Sequence, residues 1–121
     1  MKILIVEDEE SLAFVLKEKL DKSGFETKVA KDGEVALTLA RAFKPELVLL
    51  DLVLPKKDGF SVLRELKADP ELGPVPIIVL SNLGEDENIK KAFALGAKDY
   101  FVKSQHPINE IVEKIETARI A

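Results

Sequence analysis

The sequence predicts an α/β fold in which a five-stranded parallel sheet lies between two layers of helices. Short apolar runs alternate with amphipathic segments five times along the 121 residues. Most of the runs are apolar at every position, which is typical of strands covered by helices on both faces. Strict alternation of strand and helix implies right-handed crossovers, so we expect a doubly wound (βα)5 sandwich.

Five segments have the length and composition of strands. They are Lys2–Val6, Thr27–Ala30, Glu46–Leu50, Pro76–Leu80 and Asp99–Val102. The first, third and fourth are continuous apolar runs, which indicates interior positions in the sheet. The second mixes polar and apolar residues, which suits an edge strand.

The segments between the strands carry helix signals. Glycine or proline stops the pattern of the first four helices, at Gly24, Pro45, Pro70 and Gly96. Asp32 and Asp58 stand at N-cap positions, and Pro107 suits the first turn of the last helix. Apolar residues spaced three or four apart predict core-facing stripes on three helices. They are Val35, Leu39 and Phe43; Phe60, Leu63 and Leu66; and Ile108, Ile111, Val112 and Ile115.

Length and composition indicate one globular domain that occupies residues 1–121. The chain is 46% hydrophobic and 33% charged, and it contains no cysteine for disulfides or thiolate chemistry. Its net charge of −4 argues against direct binding to nucleic acid. We expect a cytoplasmic protein without membrane contact, because no secretory signal and no apolar run of about 20 residues is present.

Polar residues stand where the apolar runs end. Glu7 and Asp8 follow the first run, Asp51 the third, Ser81 the fourth, and Lys103 the fifth. Each alone has an ordinary explanation as a capping, turn or surface residue. Because ligands bind beyond the carboxyl ends of parallel strands, the five together predict one site.

Electrostatics predicts what such a site would hold. Two like charges about 4 Å apart repel by roughly 4 kcal/mol at an effective dielectric near 20, so three clustered carboxylates need a cation or shifted pKa values. A divalent ion and Lys103 would balance Glu7, Asp8 and Asp51. An oxygen-only ligand set favours Mg²⁺, or Mn²⁺, over zinc. A carboxylate beside such an ion can attack phosphorus and become an acyl phosphate.

With these motifs in this order, the chain resembles the receiver domains of response regulators in two-component signalling, over nearly its whole length. The motifs are the acidic pair Glu7-Asp8, Asp51 followed by "LPKKDG", Ser81 and Lys103. The resemblance implies a flavodoxin-like sheet with strand order 2-1-3-4-5. It also implies phosphorylation-dependent signalling rather than enzyme turnover, with phosphoryl transfer catalysed by the receiver itself.

The resemblance assigns a role to each site residue. Asp51 would accept the phosphoryl group, and Asp8, Asp51 and the Val53 backbone oxygen would ligate Mg²⁺, with Glu7 assisting through water. Ser81 and Lys103 would contact phosphoryl oxygens. Ser81 and Tyr100 would form a switch that reshapes the surface of the fourth helix, fifth strand and fifth helix. From its own chemistry, Tyr100 could also cover the core with its hydroxyl in water.

The same resemblance implies partners. They are a sensor histidine kinase or phosphotransfer protein as phosphoryl donor, and a protein target or output domain downstream. A homodimer could form through the fourth helix, fifth strand and fifth helix. His106, the only histidine, is most simply a loop or capping residue.

Three positions depart from the family pattern, namely Glu7, where Asp is commoner, Asn82, where a small residue is usual, and Ser104. We expect Asn82 to narrow access for the phosphoryl group and metal binding to survive at Glu7. Ser104 stands where a proline commonly follows the Lys, so we predict a trans bond between Lys103 and Ser104. Val53 and Leu83 flank the route of water to Asp51, and neither can orient a water molecule by hydrogen bonding. The sequence therefore predicts slow self-dephosphorylation.

The sequence is also compatible with two other functions. A Mg²⁺-dependent phosphohydrolase would share the Asp51 nucleophile, although Val53 occupies the place where such enzymes commonly carry a second Asp. A receiver-like interaction module that is never phosphorylated would share the fold alone. Nucleotide-binding enzymes are disfavoured because no glycine-rich phosphate loop is present.

Overall fold

The computed structural model of the chain describes residues 1–120, with side chains through residue 118. The strands are β1 Lys2–Val6, β2 Glu26–Ala30, β3 Leu47–Leu50, β4 Ile77–Ser81 and β5 Asp99–Val102. The helices are α1 Glu10–Lys22, α2 Gly33–Phe43, α3 Gly59–Ala68, α4 Asp86–Ala94 and α5 Ile108–Ile120. Each predicted strand is present, and its bounds agree with the prediction to within one residue.

The five strands form one parallel sheet in the order β2-β1-β3-β4-β5. Val6 lies opposite Leu50 between β1 and β3, and Ser81 lies opposite Val102 between β4 and β5. The order predicted from the resemblance is confirmed. Because all strands run the same way, their carboxyl ends meet at one edge of the sheet.

Side chains that alternate along the strands build two separate cores. On one face of the sheet, apolar side chains pack against α1 and α5. On the other face, they pack against α2, α3 and α4. All four residues of β3 are buried, as predicted for an interior strand.

Helix termini follow the sequence signals closely. The Asp32 side chain accepts a hydrogen bond from the Val35 amide at 2.8 Å, and Asp58 accepts one from the Ser61 amide at 3.2 Å. Both N-cap predictions are confirmed. Pro107 immediately precedes α5. Within residues 1–120, no helix combines the length and apolarity required to cross a bilayer.

The stripe predicted for α2 is partly wrong. The Val35 side chain is 44% exposed, and Leu39 is only partly buried, whereas Phe43 is buried as expected. The face that meets the sheet instead carries Ala36, Leu37, Ala40 and Phe43. The spacing of the larger residues misplaced this face, because alanines are small enough to let the helix approach the sheet closely. On α5, Ile111, Val112 and Ile115 are buried as predicted, and Ile108 is partly buried.

Candidate functional site

Alternation along the strands explains why three distant residues meet. Glu7, Asp51 and Lys103 follow β1, β3 and β5 at positions that continue the α1/α5 face of the sheet. Backbone hydrogen bonds extend past the strand ends, from the Asp51 amide to the Val6 carbonyl at 3.0 Å and from the Lys103 amide to the Ser81 carbonyl at 2.9 Å. The three side chains therefore point into the same space.

The Lys103 ammonium bridges two buried carboxylates. Its Nζ lies 2.8 Å from Asp51 Oδ2 and 2.9 Å from Glu7 Oε1. Glu7 is 2% exposed and Asp51 is 5% exposed, so both charges are largely removed from water. The structure thus brings together residues that are 52 positions apart in the chain.

Asp8 completes a group of three carboxylates. One oxygen from each of Glu7, Asp8 and Asp51 lies within 4.8 Å of the others, and Asp8 is exposed. Asp8 and Asp51 border an open cavity of about 290 Å³. Its lining residues are Asp8, Glu9, Asp51, Val53, Asn82 and Lys103. This all-oxygen donor set, with room beside it, fits a hard divalent cation such as Mg²⁺ or Mn²⁺.

Burial shifts the protonation of this cluster. It raises the pKa of Glu7 from 4.5 to about 7, because the hydrogen bond from Lys103 only partly offsets the loss of water. Burial alone would lower the pKa of Lys103, but hydrogen bonds to Asp51 and Glu7 outweigh it and raise that pKa. Two carboxyl groups and one ammonium share the space, so the arrangement favours an additional proton or cation.

Backbone amides fix the orientation of the carboxylates. The Val53 amide donates to Asp51 Oδ1 at 3.1 Å, and the Glu9 amide donates to Glu7 Oε2 at 3.1 Å. The bond between Lys103 and Ser104 is trans, as predicted, in line with all peptide bonds of the described chain. A serine at position 104 is therefore compatible with a close contact between Lys103 and Asp51.

Ser81 and Tyr100 lie on the opposite face of the sheet, toward α4. Ser81 is fully buried, and its Oγ accepts a hydrogen bond from the Leu83 amide at 3.3 Å. Tyr100 is also buried, and its hydroxyl donates to the Leu83 carbonyl. The expectation that the Tyr100 ring covers the core agrees with its burial, and its hydroxyl has a backbone partner in addition to any contact with water. Both side chains thus hold the same backbone segment.

Sequence reasoning missed Glu9 as a member of the site. Its Oε2 lies 3.8 Å from Lys103 Nζ, at the edge of the cavity. The acidic run "EDEE" was the only available signal, and it did not indicate which acid turns inward. His106 contributes no ligand to the cavity; its ring packs edge-on against Phe101, and its buried Nδ1 lies 3.2 Å from Glu110.

Comparison with known proteins agrees with this fold. The family model described as the response regulator receiver domain matches residues 3–116. The chain therefore belongs to the response regulator receiver domains, which take up a phosphoryl group on an aspartate in two-component signalling. Receiver domains use a divalent metal ion, in keeping with the carboxylate group described above.

Individual relatives agree with the family assignment. A probable transcriptional regulator, ycf27 of Cyanophora paradoxa, is 42% identical over 106 residues, which is 88% of this chain and 43% of that protein. The chain spans about half the length of the curated relatives it matches.

Solved structures are similar across almost the entire chain. The Mn²⁺-bound form of response regulator Rcp1 has a TM-score of 0.85 at 31% identity, covering 96% of this chain and 91% of that one. The phosphorylated cyanobacterial phytochrome response regulator RcpA has a TM-score of 0.83 at 32% identity, covering 97% of this chain and 89% of that one.

Proposed function

We propose that Asp51 is the phosphoryl acceptor of this receiver and that the reaction requires Mg²⁺. One observation carries the assignment: Lys103 bridges Asp51 and Glu7 beside a cavity, and one oxygen from each of Glu7, Asp8 and Asp51 lies within 4.8 Å of the others. Asp51 is the only one of the three that is buried, contacts Lys103 directly and lines that cavity. Asp8, Asp51 and the Val53 carbonyl would hold the cation, with Glu7 contributing through a water molecule.

The proposed chemistry is a single phosphoryl transfer. A carboxylate oxygen of Asp51 forms a bond to phosphorus while the bond from phosphorus to the donor's nitrogen or oxygen breaks. The leaving group keeps the electron pair of that bond, and a histidine donor then regains a neutral imidazole by taking up a proton. Bound Mg²⁺ would supply positive charge for the phosphoryl oxygens. Lys103 would exchange its contact with Asp51 for one with a phosphoryl oxygen.

Ser81 and Tyr100 would transmit the change through Leu83. If Ser81 Oγ turns toward the phosphoryl group, it gives up its hydrogen bond from the Leu83 amide. The Leu83 carbonyl, which holds the Tyr100 hydroxyl, would then move as well. The surface formed by α4, β5 and α5 would change with it.

The partners follow from this reaction. We propose a sensor histidine kinase or phosphotransfer protein as the donor, and a protein target or output domain as the receiver of the signal. A homodimer through α4, β5 and α5 is part of the same proposal, with no direct contact to nucleic acid or membrane. The relative from Cyanophora paradoxa is named as a transcriptional regulator, which supports an output in gene control. The cytoplasmic location stays a prediction.

Incubation with acetyl phosphate and Mg²⁺, followed by intact-mass measurement, tests the assignment. We expect one phosphoryl addition on the wild type, and none on Asp51→Asn or in the presence of EDTA. Asp86→Asn is the matched control, because Asp86 is an exposed residue in the first turn of α4. This control should be phosphorylated like the wild type.

The same experiment separates the two alternatives. Continuous release of inorganic phosphate, at many turnovers per protein, would indicate the phosphohydrolase. Absence of any addition, with Mg²⁺ bound normally, would indicate an interaction module that is not phosphorylated. Val53 beside Asp51 argues against the hydrolase, because a valine side chain has no proton to donate to a leaving group.

A further inference from the structure

Glu9 stands at the N-cap of α1 but does not cap the helix. Among the described residues its side chain makes no capping hydrogen bond, although Asp32 and Asp58 cap their helices in this way. Its carboxylate instead extends toward Lys103, with Oε2 3.8 Å from Nζ. The side chain is 57% exposed, so it lies at the mouth of the cavity rather than in its interior.

Glu9 gives the cavity an excess of negative charge. Lys103 now faces three carboxylates, those of Glu7, Glu9 and Asp51, and Asp8 lies beside them. A divalent cation together with Lys103 would balance the negative charges of Glu7, Asp8 and Asp51. The charge of Glu9 therefore stays uncompensated at the place where an anionic donor must enter.

We propose that Glu9 is a specificity-determining residue, which strengthens binding of the divalent cation and slows phosphoryl transfer from small anionic donors. This inference rests on the proposed function of Asp51. A negative charge at the mouth attracts the cation but repels the oxygens of an incoming phosphoryl group. A small acyl phosphate has only those oxygens to hold it in the site. A phosphohistidine presented by a protein is also held by contacts elsewhere on the two surfaces, so the site favours protein donors.

The variant Glu9→Gln tests the proposal, because it removes one charge and keeps the shape of the side chain. Glu10→Gln is the matched control, since Glu10 is the adjacent acid and pairs with Lys31 rather than Lys103. Calorimetric titration gives the dissociation constant for Mg²⁺ in the absence of donor. Intact-mass measurement gives the rate of phosphorylation by acetyl phosphate at saturating Mg²⁺.

We expect Glu9→Gln to lower the affinity for Mg²⁺ and to raise the rate of phosphorylation. Mg²⁺ binding should weaken by about ten- to hundredfold and phosphorylation should accelerate by about three- to tenfold, because one charge at roughly 6 Å and an effective dielectric of roughly 40–80 is worth about three- to tenfold for each unit charge on its partner, and Mg²⁺ carries two. Both effects should shrink as ionic strength rises. Glu10→Gln should stay within about twofold of the wild type, because its carboxylate contacts a different lysine.

The outcomes distinguish this inference from the proposed function. Equal behaviour of Glu9→Gln and Glu10→Gln, or a decrease of both affinity and rate, overturns the role of Glu9 alone. Opposite changes that survive at high ionic strength also overturn it, because charge would not be their cause. A wild type that gains no phosphoryl group on Asp51 overturns the proposed function, and this inference with it.

Discussion

Two buried carboxyl groups, those of Glu7 and Asp51, share one base, the partly buried Lys103. Water cannot solvate the surplus charge at this depth, so the cluster favours a state in which Glu7 is protonated or a cation is bound. Binding of Mg²⁺ should therefore displace a proton. The residue that distinguishes the two states is Glu7, because burial moves its pKa into the neutral range.

The metal-free protein should lose stability as the pH rises toward neutrality, owing to Glu7. The unfolded chain releases the Glu7 proton near pH 4.5, whereas the folded protein retains it up to about pH 7. The folded form thus binds more protons in this interval, and its free energy of unfolding falls with rising pH. Relative to Glu7→Gln, the stabilising contribution of Glu7 to the free energy of unfolding should be complete below about pH 4.5 and should have declined by on the order of 3 kcal/mol above pH 7.

Denaturant unfolding of both proteins in EDTA, at closely spaced pH values from 4 to 8, measures this difference. Addition of Mg²⁺ at pH 8 should restore stability to the wild type more than to the variant. Parallel pH profiles for the two proteins would contradict the assignment of this pKa to Glu7.

Val53 should make the acyl phosphate long-lived. Its side chain is exposed at the edge of the cavity and offers no group that could orient an attacking water molecule. Val53→Asn should shorten the lifetime of phosphorylated Asp51 severalfold, measured as loss of the added mass after donor removal. Val53→Ala is the control, because it widens access without adding a hydrogen bond. Leu83→Glu should act similarly, but Leu83 also packs against the core. An unchanged or longer lifetime in Val53→Asn would refute this account.

At the scale of elements, the loop between β3 and α3 is held from two sides. The Gly33 amide at the start of α2 donates to the Pro55 carbonyl at 3.3 Å, and the Gly59 amide donates to the Leu52 carbonyl at 2.8 Å. Lys56 in this loop has a left-handed backbone conformation, with φ of 67°. Its Nζ lies 3.7 Å from Oδ2 of Asp32, the residue that caps α2. This loop carries the Val53 carbonyl, so α2 positions a proposed metal ligand without supplying one itself.

Gly33→Ala should disturb that loop. An alanine normally stabilises a helix by about 1 kcal/mol relative to glycine. Here its Cβ would lie 2.0 Å from the Lys57 carbonyl oxygen, which is backbone and can move only with the loop. We expect a loss of about 1–3 kcal/mol in unfolding free energy and weaker Mg²⁺ binding by calorimetry.

Gly84→Ala is the matched control for this substitution. The nearest neighbour of an added Cβ at that position is a Val102 methyl group at 3.4 Å, which is ordinary contact. Its stability and its Mg²⁺ affinity should stay close to those of the wild type. A Gly33→Ala protein that binds Mg²⁺ normally would show that the loop does not depend on α2 for its shape.

At the scale of the whole molecule, the site ties the ends of three strands together. The site consists of residues that directly follow β1, β3 and β5, namely Glu7, Asp51 and Lys103. These strands belong to the sheet that separates the two hydrophobic cores from each other. A cation bound there stabilises only the folded state, because the unfolded chain does not assemble its ligands. Local binding should therefore raise the unfolding temperature of the entire domain.

Mg²⁺ at ten times its dissociation constant should raise the midpoint of thermal unfolding by roughly 5 °C, from a gain of about 1.4 kcal/mol. Asp8→Asn should abolish this increase and leave the metal-free protein folded, because Asp8 is exposed. Calorimetry with and without Mg²⁺ measures both. An equal increase in Asp8→Asn would place the cation elsewhere on the molecule.

Local patterns were sufficient to predict much of this protein. Strand and helix existence, the caps Asp32 and Asp58, and the residues that follow each strand all depend on near neighbours in the chain. Because parallel strands end at one edge, the approximate convergence of Glu7, Asp8, Asp51 and Lys103 could also be anticipated. The strand order came from the resemblance to a family, since periodicity does not specify which strands are adjacent.

Tertiary structure decided the features that depend on how elements approach one another. The spacing of apolar residues along α2 predicted that Val35 is buried in the core. The helix instead packs against the sheet through its alanines, and this orientation leaves Val35 exposed. No pattern distinguishes Glu9 from a capping residue, because the direction of its side chain depends on Lys103, 94 positions away. The requirement for glycine at position 33 also could not be predicted from local sequence. It arises because the loop that contains Lys57 packs against Gly33 and leaves no room for a Cβ. The sequence determines what each segment can form, whereas packing between distant segments determines which side chains meet.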